Sequence, residues 1–296
     1  MKLDRTTFFS YVRPAPFGNR LTQEQVDGMN ALLDMWEQDF RGRDSRHLAY
    51  CLATSFHETG GRMVPVREGF AKTDAAARKV VAKRKYGKPD ATSNGHTLMG
   101  PDGEPMPKTG EVYYGRGHVQ LTWADNYLRM GQLLHLPLYE QPDLALEPKV
   151  SAKILFEGML RGKSSKGDFT GKSVEDYFNE HADDAVGARR VVNGSDKAHL
   201  IAGYHKAFID SIKAAEKAAQ DGTPSDVSVK AAKPDGANLS TDKTIWGGLT
   251  AGAGGIAASL IAAINNPWAM AAFIIVAFGV FLVVTGRVEI KRKAGA

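Results

Sequence analysis

"SFHETGG" (residues 55–61) closes a run of helical periodicity with a histidine, a glutamate and a glycine pair. Upstream, Leu48, Leu52 and Phe56 recur at helical spacing, with Ala49 and Ala53 as small packing partners. The pattern predicts a buried helix that starts near Asp44 or Ser45 and stops at Gly60, where a left-handed residue can end it. Glu58 then lies in the last turn. The partial negative charge of the helix terminus and partial burial both favour the protonated carboxyl, the form a general acid needs. Gly60 and Gly61 are expected to leave space for a bulky substrate beside it. An ordinary surface Glu ahead of a glycine cap would show the same letters. A zinc-protease reading of His57-Glu58 needs a second His three residues after the Glu, and Gly61 stands there.

The segment before it, Thr22 to Phe40, carries an apolar stripe of Val26, Met29, Leu33, Trp36 and Phe40, and Thr22-x-x-Gln25 reads as a capping box. Hydrophobic residues make up 43% of the 296, enough for a sizeable core. One cysteine, Cys51, excludes an internal disulfide framework and fits folding in a reducing cytosol. The net charge is +5, of which +3 falls after Gly222, so the preceding part is only mildly basic. That argues against a dedicated nucleic-acid binder and is compatible with an anionic polymer as substrate. His96, His118 and His199 show no metal-ligand spacing, and no cofactor is suggested.

Composition divides the chain into residues 1–222, of globular character, a flexible linker at 223–243, membrane segments within 244–287, and a basic tail at 288–296. Residues 245–264 and 268–286 are uncharged runs, each about 30 Å long as a helix, the thickness of a bilayer core. The first contains Gly248-x-x-x-Gly252, a close-approach spacing; a buried helical hairpin in a globular domain is the alternative to two spans. Arg287, Lys291, Arg292 and Lys293 place the C-terminus on the cytoplasmic side of a bacterial inner membrane. Two spans would leave the globular part cytoplasmic as well, and one span would leave it outside. The N-terminal stretch has no apolar run of secretory length.

"EVYYGRGHVQLTWADNY" (111–127) is the second dense stretch. Tyr113 and Tyr114 are amphipathic rings suited to stacking on sugars, Gly115 and Gly117 flank Arg116, and Gln120, Thr122 and Asn126 supply neutral hydrogen-bonding groups. Thr122 also reads as the N-cap of a helix reaching Leu134. A buried aromatic turn ahead of a helix is the structural alternative.

Together "HETGG" (57–61), "YYGRGHVQLT" (113–122), "NY" (126–127) and "VVNG" (191–194) resemble glycoside hydrolase family 19, which holds chitinases and many phage endolysins. The resemblance spans roughly residues 20 to 210. It implies a mainly α, lysozyme-like bilobed domain that hydrolyses β-1,4 bonds between N-acetylated sugars with inversion, one carboxylic acid protonating the leaving oxygen and a carboxylate about 6.5–9.5 Å away activating water. Glu58 matches the acid. Glu68 is the first candidate for the base, one residue further along than in bacterial and phage members, with Glu104 and Glu111 as fallbacks. Gln120, Thr122, Asn126 and Asn193 match positions that bind sugar or place the water, and Arg116 matches as a partner of the carboxylates; His57, Tyr113 and Tyr114, inside the same motifs, complete the expected substrate-binding set. The acidic residue that plant members carry after Asn-Gly has no clear counterpart, Asp196 or Lys197 standing there. Residues 71–108 form a polar insertion, either a basic flap over an anionic substrate or a solvated loop. Chitin and peptidoglycan share the recognised sugars; the cysteine count and expected membrane anchor point to bacterial peptidoglycan, with a holin as partner for release. A chitinase, a non-catalytic membrane-anchored glycan binder and a lytic transglycosylase remain alternatives.

Overall fold

The computed structural model describes residues 2–160, 169–221 and 229–235. Chain contacts separate Met1–Asp235 from Gly236–Ala296, and the second unit lies outside the described residues. The described part is mainly helical. Helices α1 (Arg5–Val12), α2 (Gln23–Asp39), α3 (Ser45–Glu58), α6 (Pro148–Leu160) and α7 (Ala198–Asp221) build the main body, with α1 and α3 each packed along α7, and α6 against α2 and α3. Between α3 and α6 the chain inserts β1 (Val66–Arg67), α4 (Asp74–Val81), β2 (Arg116–Gly117) and α5 (Ala124–Leu134).

Local rules explain the starts of α2 and α3. Thr22 accepts from the Gln25 N–H while Gln25 returns a bond to the Thr22 N–H, the expected capping box. Asp44 caps α3 through the Arg46 N–H. The stripe read from α2 is buried, and Trp36 stacks on Phe40 at 5.8 Å and meets Phe156 at 5.5 Å. Phe178 and His205 stack at 4.8 Å beside Tyr50, joining the 173–191 region to α3 and α7. The antiparallel pair β1–β2 puts Val66 opposite Gly117 and Arg67 opposite Arg116.

A second, smaller core holds Ala77, Val81, Val112 and Tyr114, with Ala71 and Tyr86 packed on it. Residues 71–108, read as flap or solvated loop, thus have an apolar footing of their own.

The transmembrane hairpin and C-terminal membrane anchoring expected from the sequence are not supported. Among the described residues no helix is long and apolar enough to cross a membrane. The longest, α7, has the length but carries Lys206, Asp210, Lys213, Glu216, Lys217 and Asp221, whose charges a bilayer core would not accept. The segments 245–264 and 268–286, like the tail 288–296, fall outside the described residues. Within the stretch 223–243, α8 (Val229–Ala232) packs on α1. Arg13 donates to the Ala231 carbonyl at 2.6 Å and pairs with Asp235 at 2.9 Å.

Candidate active-site cleft

A cleft of ≈ 630 Å³ is lined by Glu58 at the end of α3, by Val66 to Phe70, by Tyr86, by Gly115 and residues 119–123, by Asn126, and by Phe169, Val192 and Asn193. Of the ten residues singled out from the sequence, it brings together Glu58, Glu68, Gln120, Thr122, Asn126 and Asn193.

Glu58 is the last residue of α3, within the last turn where its spacing places it. Its Oε1 accepts from Arg189 Nη1 at 2.9 Å, and among the described residues Oε2 accepts no bond. Arg189 lies in the 3-10 turn Gly187–Val191, 4% exposed, with Nε donating to the Asp196 carbonyl. The glycine pair does not leave open space. Gly60 (φ +59) and Gly61 (φ +79) supply the left-handed turn, and a Cβ on Gly60 would sit 2.7 Å from Phe70 Cζ, one on Gly61 3.3 Å from Phe56 Cε2. Aromatic rings fill the room expected for substrate.

Glu68 opens the turn after β1. Its Oε1 accepts from the Tyr86 hydroxyl at 2.6 Å and its Oε2 from the Gly115 N–H at 3.0 Å, which fixes both oxygens. Burial, then the carboxylate it bonds, push the Tyr86 phenol up to about 12, so it remains a donor. The Tyr86 ring meets Trp123 edge-on at 5.4 Å. Glu104 is exposed and Glu111 is tied to Arg78 at 2.5 Å, and neither lines the cleft.

The Gln120 amide donates to the Val66 and Gly117 carbonyls at 3.0 and 3.1 Å, bracing the strand pair. Thr122 Oγ1 donates to the Gln120 carbonyl, and Asn126 Nδ2 to the Thr122 carbonyl at 2.7 Å. Thr122 does not cap α5; the capping position is Trp123, without a side-chain bond. Phe70, Gln120 and Trp123 all hold positive φ (55, 53 and 75°), a costly backbone for residues with side chains, gathered here at one cleft. Asn193 is exposed, its N–H bonded to the Arg189 carbonyl.

The remaining residues lie elsewhere. Tyr113 and Tyr114 are fully buried and cannot stack on a sugar. Tyr113 stacks on Tyr139 at 5.3 Å and donates to its carbonyl; Tyr114 donates to Asp74 at 2.9 Å. Arg116 is 1% exposed, and its carboxylate partners are Asp143 at 2.8 Å and Asp74 at 3.4 Å, in place of Glu58 and Glu68. Its guanidinium also lies 3.6 Å from the Tyr114 ring centre. His57 is half-buried near Tyr204 and does not line the cleft, and burial holds its imidazole below the ordinary value.

The sequence reading missed Tyr86, Trp123, Phe70 and Arg189. Tyr86 sits in a polar stretch, and Arg189 in "ARRVVNG", where only the Asn-Gly drew attention. Among the described residues no group of three or more His, Cys, Asp or Glu could hold a metal ion.

No protein-family model matches the chain. Among curated proteins it is similar to an Arabidopsis thaliana endochitinase, 49% identical over 43 residues, which is 14% of this chain and 15% of that protein. Endochitinase 1 of Theobroma cacao is 40% identical over 58 residues, 19% of this chain and 18% of its own. An inactive chitinase-like protein of Hevea brasiliensis is 49% identical over 41 residues, 14% and 13% of the two chains. The match thus spans less than a fifth of these relatives. Among solved structures, a bacterial family 19 chitinase aligns with TM-score 0.44 and 22% identity over 71% of this chain and 94% of its own. Chitinase C from Streptomyces griseus aligns with TM-score 0.43 and 20% identity over 71% and 76%.

Proposed function

We propose that the chain is a glycoside hydrolase that cleaves β-1,4 bonds between N-acetylated sugars with inversion, Glu58 as general acid and Glu68 as general base. The observation that carries this reading is the meeting of these two carboxyl groups, from separate elements, in one open cleft. Arg189 holds Oε1 of Glu58 and leaves Oε2 to carry the proton to the glycosidic oxygen. Glu68, fixed by Tyr86 and Gly115, takes a proton from a water that attacks the anomeric carbon from the opposite sugar face. Gln120, Thr122, Asn126 and Asn193 supply amide and hydroxyl groups along the groove. The curated relatives named as endochitinases support this substrate class. Bacterial peptidoglycan is the finer reading: a lone buried cysteine fits a chain made in a reducing compartment, as a cell-wall lysin is.

The test is hydrolysis of purified peptidoglycan and of chitin oligosaccharides by the full chain, followed by reducing-end assay and by proton NMR of the first products. The α-anomer should form first, and E58Q and E68Q should each lose about 10²–10⁴-fold in turnover. First appearance of the β-anomer would show retention, anhydro ends a transglycosylase. Binding without any release of reducing sugar would leave a non-catalytic glycan binder.

A further inference from the structure

Residues 72–88 hold seven Lys and Arg against one Asp, a net of +6, while the rest of residues 1–222 sums to −4. Arg78 is engaged by Asp74 and Glu111, both at 2.5 Å. The other six cations, Lys72, Lys79, Lys83, Arg84, Lys85 and Lys88, are exposed and have no ion-pair partner among the described residues. A merely solvated surface would mix signs; here one sign is collected on one segment.

That segment is seated against the cleft. Tyr86, between Lys85 and Lys88, lines the cleft and bonds Glu68. Val80 packs so closely on the cleft-lining Gly69 that a Cβ there would lie 2.9 Å from Val80 Cγ1. Ala77 and Val81 are buried in the smaller core, and a Cβ on Gly87 would fall 1.9 Å from the Val81 carbonyl oxygen, so the turn is closed onto α4. The charges therefore stand at a fixed place beside the proposed base.

We propose that residues 72–88 form a basic lip that makes the cleft prefer a glycan bearing carboxylates over a neutral glycan of the same backbone. This deepens the glycosidase reading and rests on it for the identity of the cleft. Charges of one sign at the rim of a groove raise the local concentration of an oppositely charged polymer and its rate of association, and salt removes the effect once the Debye length falls to a few ångströms.

Two polymers of one backbone separate charge from sugar recognition: carboxymethyl chitin is anionic and glycol chitin is neutral. Calorimetric titration of the full-length E58Q chain reads binding without turnover. Affinity for carboxymethyl chitin should exceed that for glycol chitin by about tenfold at low salt, and the two should converge as ionic strength approaches 1 M. The neutralising variant K83Q/R84Q/K85Q, at exposed positions, should collapse the ratio toward one, while its melting temperature stays that of the parent. Equal affinities at low salt, or an unaltered ratio in the variant, overturn the proposal. So does equally tight binding of dextran sulfate, which lacks the N-acetylated sugar and would mark a general polyanion surface. Failure of the glycosidase reading would show separately, as no turnover of either polymer by the unsubstituted chain.

Discussion

Arg189 reaches across 131 residues of sequence to place Nη1 2.9 Å from Oε1 of Glu58. The arginine is 4% exposed and the glutamate 18%, so the pair is largely shielded from solvent. Substituting Arg189 by Met strands a half-buried carboxyl. We expect a loss of about 1–3 kcal/mol in urea unfolding. An E58Q/R189M double-mutant cycle should recover part of it, because the second change removes the uncompensated charge. Additive losses would mean that the two side chains do not interact in solution.

Tyr86→Phe deletes one hydroxyl from the Glu68 carboxylate and keeps the ring against Trp123. Bonds to charged groups are worth about 1.5–3 kcal/mol, so turnover should fall roughly ten- to a hundredfold if Glu68 is the base. KM should move little, since the ring stays in the cleft. An equal rise in KM with unaltered kcat would make Tyr86 a sugar-binding residue instead.

His118 is buried, with Nδ1 2.9 Å from Ser55 Oγ, and burial pushes it down to about 3; His205 is likewise pushed down to about 4, chiefly by burial. Unfolded, each would bind a proton near the ordinary value of about 6.5. The unfolded chain thus takes up more protons as pH falls below that point, and stability declines toward the folded values. Each histidine costs up to about 1.4 kcal/mol per pH unit across this window. Melts should show lower stability at pH 4.5 than at pH 7, with H118Q flattening the slope. A pH-independent melt between 4.5 and 7 would contradict the burial.

Gly60→Ala puts a Cβ at φ +59 and 2.7 Å from Phe70 Cζ. The variant should lose more than about 1 kcal/mol and displace the Phe70 ring from the end of α3. A neutral thermal shift would show that this ring is not seated there.

The helices were legible where local chemistry sets them. The Thr22 capping box, the start of α3 near Asp44 and the place of Glu58 in its last turn follow from neighbours within four positions. The cleft was half legible. Glu58, Glu68, Gln120, Thr122, Asn126 and Asn193 were named, but Tyr113 and Tyr114 were assigned to sugars and lie in cores. An aromatic pair has the same letters whether its rings meet solvent or Tyr139 and Arg116. Arg189 was illegible because its partner Glu58 lies 131 residues away; Tyr86 and the rings over the glycines are nearer in sequence, but the turns that bring them to Glu68, Gly60 and Gly61 follow no helical or strand period. The left-handed backbone at Trp123, which puts the start of α5 past Thr122, goes with a bond from its N–H to the Tyr113 carbonyl ten residues back, which no local rule announces.

With only two residues paired per strand, the β1–β2 ladder has little power to choose its own alignment. Arg116 does the choosing. Pinned by Asp143, Asp74, Tyr127 and the Val112 carbonyl, it can occupy one station only. A slip of one residue would send this guanidinium to the other face and withdraw the Gly115 N–H from Glu68. The arginine thus works as an indexing pin: although it never touches the groove, it dictates which amide the second carboxylate meets.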